Sequence, residues 1–381
     1  MDAFTRLEKH AKERPAELLK MKKAGQKFVG YVPEGFLPEE LVYASGAIPI
    51  GLAKGGDAET LMESLKYVPR FICTWCRSQI GYKMSGDLLY QVPHLMVVPA
   101  TDCNARSIGD LWNYWTDTPA FLYGVPHNKQ PEAVDYFSLG LNKLKTKLEE
   151  LTGNKITDEK ISDAVVKQNQ IRTLLKDISD LRKKPGKPVI SSFDYVRLHH
   201  YSFCADQDFL IDCLTEIYND LKNKESEQVD CIRLFFTGGT LAHGDYRVYE
   251  LLDQIGGEIV YEDFAGCLRP YENNVKLDGT DPLAALTDAY FTQRMDPAWN
   301  RPSNHRVYPM IDNIKAFGAQ AVIWYQLLYR EAYDMQAFFF DKIIEKETGV
   351  PMLKIESDYD ASEKGNVKTR LESLIEMVQG G

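Results

Sequence analysis

The alternation of short apolar segments with helical segments constrains the fold of this chain more than any other feature. The stretch 27–52, KFVGYVPEGFLPEELVYASGAIPIGL, predicts a strand, a loop, a helix and a second strand. Further short strands are predicted within 94–103 and 120–126. Strands that alternate with helices are typical of a parallel sheet covered by helices. The N-terminal part of the chain therefore predicts an α/β domain.

The same alternation returns in the C-terminal part. The segment 231–267 predicts a strand, a Thr-Gly-Gly turn, a helix and another strand, and further strands are predicted at 318–326 and 350–359. The amides of the turn, TGGTLAHG at 237–244, could cradle a phosphate at a helix start, but a plain strand-to-helix connection is the alternative. This region predicts a second α/β domain.

The middle of the chain has a different character. In 160–181 the apolar side chains recur at helical spacing, and long helices are predicted over the whole of 132–225. A chain of 381 residues is longer than one typical hydrophobic core organises. We therefore predict an α/β protein with two parallel-sheet domains, residues 1–131 and 226–381, and an intervening helical region, residues 132–225.

Charge and hydropathy exclude several functions. A net charge of −10 does not suit nucleic acid or an anionic membrane, so we expect neither as a partner. No apolar run approaches the roughly 18 residues that suggest a transmembrane helix. The charged N-terminal segment lacks the apolar core of a signal peptide, so we expect a cytoplasmic location. No P-loop motif occurs, so ATP hydrolysis by that route is not expected of this chain.

Four of the seven cysteines fall where a site is expected. Cys73 and Cys76 stand three positions apart at a predicted helix start, which favours the thiolate form that binds metal. Cys103 and Cys267 each follow a predicted strand, and ligands of parallel sheets bind beyond the carboxyl ends of the strands. Iron–sulfur ligation by thiolates from separate segments fits this pattern better than zinc, which usually takes two close cysteine pairs.

Other interpretations of the pair stay open at this point. A dithiol that cycles between reduced and oxidised forms needs only Cys73 and Cys76, and two buried thiols without chemistry are also compatible with the spacing. The other three cysteines lie in predicted helix or strand, where we expect buried apolar side chains: Cys204, Cys213 and Cys231.

A basic segment precedes a predicted helix in the C-terminal part. Residues 294–309, RMDPAWNRPSNHRVYP, contain Arg294, Arg301, His305 and Arg306. Such a segment suits a phosphate-bearing or acyl ligand. The alternative is an exposed loop with ordinary ion pairs.

Several segments together resemble one family. VGYVPEGFLPEELVYASGAIPIGL, the segment around Cys73, VVPATDC, VYEDFAGCLRPY and GVPMLKIESDY resemble, in order along nearly the whole chain, the iron–sulfur subunits of 2-hydroxyacyl-CoA dehydratases and benzoyl-CoA reductases. The resemblance implies two flavodoxin-like domains, a 4Fe-4S iron–sulfur cluster, a homologous second subunit and an ATP-hydrolysing iron–sulfur activator protein. It also implies radical chemistry on an acyl-CoA substrate.

The resemblance leaves three functions open. The first is dehydration of an (R)-2-hydroxyacyl-CoA to an enoyl-CoA, which we favour. The second is reduction of benzoyl-CoA or another aromatic acyl-CoA. The third is a cluster-deficient scaffold subunit of such a complex.

Carried over by position, the family's cluster cysteines match this chain only in part. Cys73 matches the first, and Cys103 lies at or next to the second. The third corresponds to the stretch 329–332, where Arg330 places a cation and no cysteine occurs. We expect Cys76 or Cys267 to replace it, so the predicted metal ligands are Cys73, Cys76, Cys103 and Cys267. The predicted substrate contacts are Glu34, Glu40, Arg306 and Arg330.

Overall fold

Two four-stranded parallel sheets form the framework of the protein, seen in a computed structural model that describes residues 1–227, 229, 231–279 and 281–380. The first sheet has the strand order β2-β1-β3-β4, and every neighbouring pair is parallel. Its strands are β1 (Phe28–Tyr31), β2 (Ile48–Gly51), β3 (Leu95–Ala100) and β4 (Ala120–Gly124).

The second sheet repeats this architecture with the order β6-β5-β7-β8, again all parallel. Its strands are β5 (Ile232–Thr240), β6 (Gly257–Gly266), β7 (Ala321–Leu327) and β8 (Met352–Ser357). The central strands β5 and β7 are buried along their whole length, as expected when helices cover both faces of a parallel sheet. The predicted α/β fold with two parallel-sheet domains is confirmed.

The predicted Thr-Gly-Gly turn is wrong. Gly238 lies inside β5, paired with Phe264 of β6 and Tyr325 of β7. A β-carbon on Gly238 would stand 2.1 Å from the carbonyl oxygen of Tyr325. Glycine is therefore required here by the close approach of a neighbouring strand, not by a turn.

Fourteen helices of the described residues surround the sheets. In the N-terminal half they are α1 (Ala3–Lys23), α2 (Glu39–Ala44), α3 (Ala58–Ser64), α4 (Thr74–Met84), α5 (Cys103–Trp115), α6 (Pro131–Thr152) and α7 (Asp158–Asp180). In the C-terminal half they are α8 (Ser192–Ser202), α9 (Gln207–Leu221), α10 (Arg247–Ile255), α11 (Pro282–Thr287), α12 (Val307–Ala316), α13 (Glu331–Thr348) and α14 (Lys364–Gly380). Of the described helices, none is long and apolar enough to traverse a bilayer.

The helical middle region consists of α6 to α9, as the periodicity predicts. Thr157 caps α7 by accepting a hydrogen bond from the backbone N–H of Lys160. One continuous hydrophobic core runs from the first sheet to the second, and includes Val29 of β1 and Phe236 of β5. The two sheets are therefore packed into one body, while the domain boundaries given above stay a prediction.

Candidate functional site

The chain segments that follow three strands of the two sheets meet at one buried guanidinium. Glu34 follows β1, Asp102 follows β3, and Arg330 follows β7. The Arg330 Nη2 donates to Glu34 Oε1 at 2.6 Å and to Asp102 Oδ2 at 2.9 Å. Its Nε also donates to Asp102, at 3.1 Å, and its Nη1 donates to the Thr240 hydroxyl at the end of β5. We call Glu34, Asp102 and Arg330 the Arg330 triad.

The triad is shut off from water. The Arg330 side chain is 2% exposed, and those of Glu34 and Asp102 are each 1% exposed. Burial opposes the charge on Arg330, but the carboxylates of Asp102 and Glu34 outweigh it and raise the guanidinium pKa well above its ordinary value. Burial likewise raises the pKa of Glu34, against the opposing effect of the Arg330 charge. The three charges therefore depend on one another, because each carboxylate loses its counter-charge if Arg330 is removed.

Both carboxylate oxygens of Asp102 accept hydrogen bonds. Its Oδ1 accepts a 2.7 Å hydrogen bond from the backbone N–H of Ala105 and caps α5, while Oδ2 faces Arg330. Aspartate is a preferred N-cap because it satisfies an N–H group that the first helical turn leaves free. The Thr101 hydroxyl donates to Glu34 Oε2 at 2.6 Å. The loop after β3 thus orients both carboxylates of the triad.

The Cys-x-x-Cys pair lies at the start of α4 and is fully buried. The backbone N–H of Cys73 donates to Asn104 Oδ1 at 2.9 Å, and Asn104 Nδ2 donates to the carbonyl of Tyr329 at 3.1 Å. The pair is therefore tied to α5 and to the loop that carries Arg330. Burial opposes ionisation of Cys73, but hydrogen bonds from Cys76 and the charge of Arg330 lower its pKa.

The other two predicted ligands have different surroundings. Cys267 is buried after β6, and its backbone N–H donates to the carbonyl of Pro33 at 2.7 Å. Burial and the charge of Glu34 raise its thiol pKa well above the ordinary value. Cys103 begins α5 on the exposed side, where partial burial and the charge of Asp102 raise its pKa. The structure thus buries Cys73, Cys76 and Cys267 around Arg330 and leaves Cys103 outside.

The described residues do not form a preformed four-thiolate site for a 4Fe-4S cluster. Within the described ranges, no group of three or more His, Cys, Asp or Glu side chains is arranged to hold a metal ion. The guanidinium of Arg330 occupies the space between the ends of β1, β3 and β7, and it donates hydrogen bonds to the carboxylates of Glu34 and Asp102. A guanidinium has no electron pair to offer a metal. The four thiolate ligands inferred above stay a prediction.

The predicted substrate contacts separate into three places. Glu34 and Arg330 lie together in the triad. Glu40, on α2, instead pairs with Arg172 of α7 and accepts a 2.8 Å hydrogen bond from the Tyr290 hydroxyl. Arg306 precedes α12 and donates to the Gly238 carbonyl and to Gln336 Oε1, each at 3.0 Å. Their role as substrate contacts stays a prediction.

Sequence reasoning missed two residues of the site, Asp102 and Thr240. The sequence Thr-Asp-Cys after an apolar strand is a recognisable helix N-cap signal, so the role of Asp102 as a helix cap could be predicted from the sequence. Its pairing with Arg330, 228 residues away, was not. Among the remaining cysteines, Cys204 and Cys213 are buried as expected, whereas Cys231, immediately before β5, is only half-buried.

Comparisons with known proteins place the chain in one family. The model of a family described as 2-hydroxyglutaryl-CoA dehydratase, D-component, matches residues 35–378. The (R)-phenyllactyl-CoA dehydratase beta subunit of Clostridium sporogenes is 24% identical and matches over 93% of each chain. The beta subunit of (R)-2-hydroxyglutaryl-CoA dehydratase from Acidaminococcus fermentans is 22% identical over 94% of each chain.

A third relative is named as part of a reductase and not of a dehydratase. This relative, one of the subunits of benzoyl-CoA reductase from Thauera aromatica, is 23% identical over 78% of this chain and 77% of its own. Since the family match spans most of the sequence, the chain belongs to the 2-hydroxyglutaryl-CoA dehydratase D-component family.

Proposed function

We propose that this chain is a subunit of an acyl-CoA dehydratase complex and that it lacks an iron–sulfur cluster of its own. The complex converts an (R)-2-hydroxyacyl-CoA to an enoyl-CoA. A homologous second subunit and an ATP-hydrolysing iron–sulfur activator complete the proposed complex. The observation that carries the proposal is the buried guanidinium of Arg330, paired with Glu34 and Asp102 where the two sheets meet. The Arg330 triad holds this edge together by ion pairs in place of metal–thiolate bonds.

Dehydration is preferred to ring reduction because of the extent of the similarity. The two dehydratase beta subunits match over 93% and 94% of this chain, whereas the reductase subunit matches over 78%. All three relatives are named as subunits, which supports a role within an assembly. Reduction of an aromatic acyl-CoA is the alternative reaction of the same complex.

Two competing roles of the chain differ in iron content. If it were the iron–sulfur subunit, anoxically purified protein would contain about four iron and four acid-labile sulfide per chain. We expect wild-type protein to contain neither in stoichiometric amounts. Arg330→Cys should gain iron on anoxic reconstitution, because it returns a thiolate to the family position, whereas the exposed Arg301→Cys should not.

The outcome that contradicts the proposal is a stoichiometric cluster in wild-type protein. In that case Cys73→Ala and Cys103→Ala would each be expected to lose most of the iron, and Cys204→Ala none. The reaction is tested separately, by supplying the chain with its second subunit and activator and following enoyl-CoA formation. Loss of that activity on omitting this chain supports the subunit role, and unchanged activity refutes it.

A further inference from the structure

A cavity of about 380 Å³ lies apart from the Arg330 triad and shares none of its residues. Asp263 in the C-terminal half of β6, Lys129 after β4, and Arg306 before α12 line it. We call it the Arg306 cavity. Both sheets contribute strand-end segments to its wall, and ligands of open α/β sheets bind beyond the carboxyl ends of the strands. Its volume is in the range of small-molecule sites.

The arginines of this cavity are paired differently from the buried Arg182 and Arg330. The guanidinium groups of Arg182 and Arg330 each donate to a carboxylate at 2.6 Å. For Arg294 the ion pair that the structure shows is 3.8 Å long, to Glu272, and for Arg306 it is 4.0 Å, to Asp263. Both distances exceed that of a hydrogen bond.

Each of these two arginines also keeps an unused donor. The Nε atoms of Arg294 and Arg306 are buried and have no hydrogen-bond partner among the described residues. Both side chains are nearly inaccessible, at 5% and 1% exposure. The Nη groups of Arg306 already donate to the carbonyl oxygens of Gly238, Asp263 and Gln336, so its Nε is the donor left for a ligand. The unused Nε groups and the absence of a close carboxylate among the described ion pairs of Arg294 and Arg306 favour an anionic ligand.

The other charges of the wall restrict which anion fits. Three carboxylates lie among the lining residues, Asp263, Glu272 and Asp296, and they match Lys129, Arg294 and Arg306 in number. A dianionic phosphate would bring two negative charges close to these three carboxylates and be repelled by them. A ligand with a single carboxylate adds only one negative charge and is repelled less. The Asp263 carboxylate lines the cavity and lies 4.0 Å from Arg306 Nη2, so it can accept a hydrogen bond from a ligand hydroxyl. Apolar side chains of Tyr261, Met295 and Met310 complete the wall.

We propose that the Arg306 cavity binds a free 2-hydroxy acid with an apolar tail, with the carboxylate facing Arg294 and Arg306 and the hydroxyl donating to Asp263. This goes beyond the proposed function, because the ligand is a free acid, bound at a place separate from the triad. It is measurable on the chain alone, so a failure of the dehydratase proposal does not affect the outcome.

Calorimetric titration tests the inference with three probes: 2-hydroxyhexanoate, hexanoate and inorganic phosphate. Wild-type protein should bind 2-hydroxyhexanoate most tightly. Arg294→Gln should weaken both acids about tenfold or more, the effect of removing a charge-assisted hydrogen bond. The control is Arg301→Gln, an exposed arginine of the same segment, which should bind as wild type does.

A second variant keeps the test independent of how well Arg294→Gln folds. Asp263→Asn should bring the affinities for 2-hydroxyhexanoate and hexanoate close together, since the asparagine no longer favours a hydroxyl donor to the same degree. The inference is overturned if wild-type protein binds none of the probes, if phosphate binds more tightly than the acids, or if Asp263→Asn retains the full preference for the hydroxyl.

Discussion

Removal of the Arg330 charge is the sharpest test of the triad. In Arg330→Gln, the carboxylates of Glu34 and Asp102 lose hydrogen bonds of 2.6 and 2.9 Å and remain in a region that is almost without water. Breaking a buried ion pair by removing one partner costs about 3–5 kcal/mol of stability. We expect a loss of that order in the free energy of unfolding.

The loss should depend on pH in a defined direction. Burial already raises the pKa of Glu34, and removal of the opposing Arg330 charge raises it further. A carboxyl group whose folded-state pKa lies above its unfolded-state value contributes stability at acid pH and loses it as pH rises through the folded-state pKa. Arg330→Gln should therefore be much less stable than wild type at pH 8 and closer to wild type near pH 5.

Urea unfolding at both pH values measures the two effects. Glu34→Gln removes the titrating group, so the double variant with Arg330→Gln should lose less stability than the two single variants added together. Arg301→Gln, an exposed arginine, serves as the control and should cost little. A loss below about 1 kcal/mol in Arg330→Gln, the size typical of surface ion pairs, would refute the reasoning. So would a larger loss at pH 5 than at pH 8.

Two further predictions concern single positions. Gly35 has φ +79°, and an added β-carbon would stand 2.4 Å from Arg294 Nη2; Gly35→Ala should therefore lose more thermal stability than Gly86→Ala, whose φ is +83° but whose surroundings are open. Similar losses in the two variants would contradict the contact. Native alkylation followed by mass spectrometry should label exposed Cys103 first and leave Cys73 unlabelled until the protein unfolds, and early labelling of Cys73 would contradict its burial.

The fold follows from local patterns, which is why the sequence predicts it well. Alternating apolar strands and helices specify a parallel sheet, and the short segments around 28–31 and 321–327 form strands close to where they are predicted. The prediction fails at Gly238, because a glycine pair in sequence looks like a turn. Only the positions of β6 and β7 show that the glycine accommodates a neighbouring strand.

The site is less predictable because its contacts join distant parts of the chain. Arg330 is 296 residues from Glu34 and 228 from Asp102. Alignment by position indicates that Arg330 stands where the family has a cysteine. It does not indicate that the carboxylates of Glu34 and Asp102 neutralise the charge of Arg330. The same holds for Glu40, whose partner Arg172 lies on a helix of the middle region. Charge pairing across a fold is a property of the packed structure.

The Arg330 triad and the Arg306 cavity are physically connected through Tyr333 of α13. Its ring centroid lies 5.0 Å from the Arg330 guanidinium carbon and 5.4 Å from that of Arg306. Cations are attracted to an aromatic ring, and a buried ring held by two of them cannot move without changing both contacts. A ligand oxyanion that shifts Arg306 must therefore alter the packing of the ring against Arg330. We therefore expect occupancy of the cavity to affect the contact between Tyr333 and Arg330, which a change in the fluorescence or chemical shift of Tyr333 on ligand binding would measure.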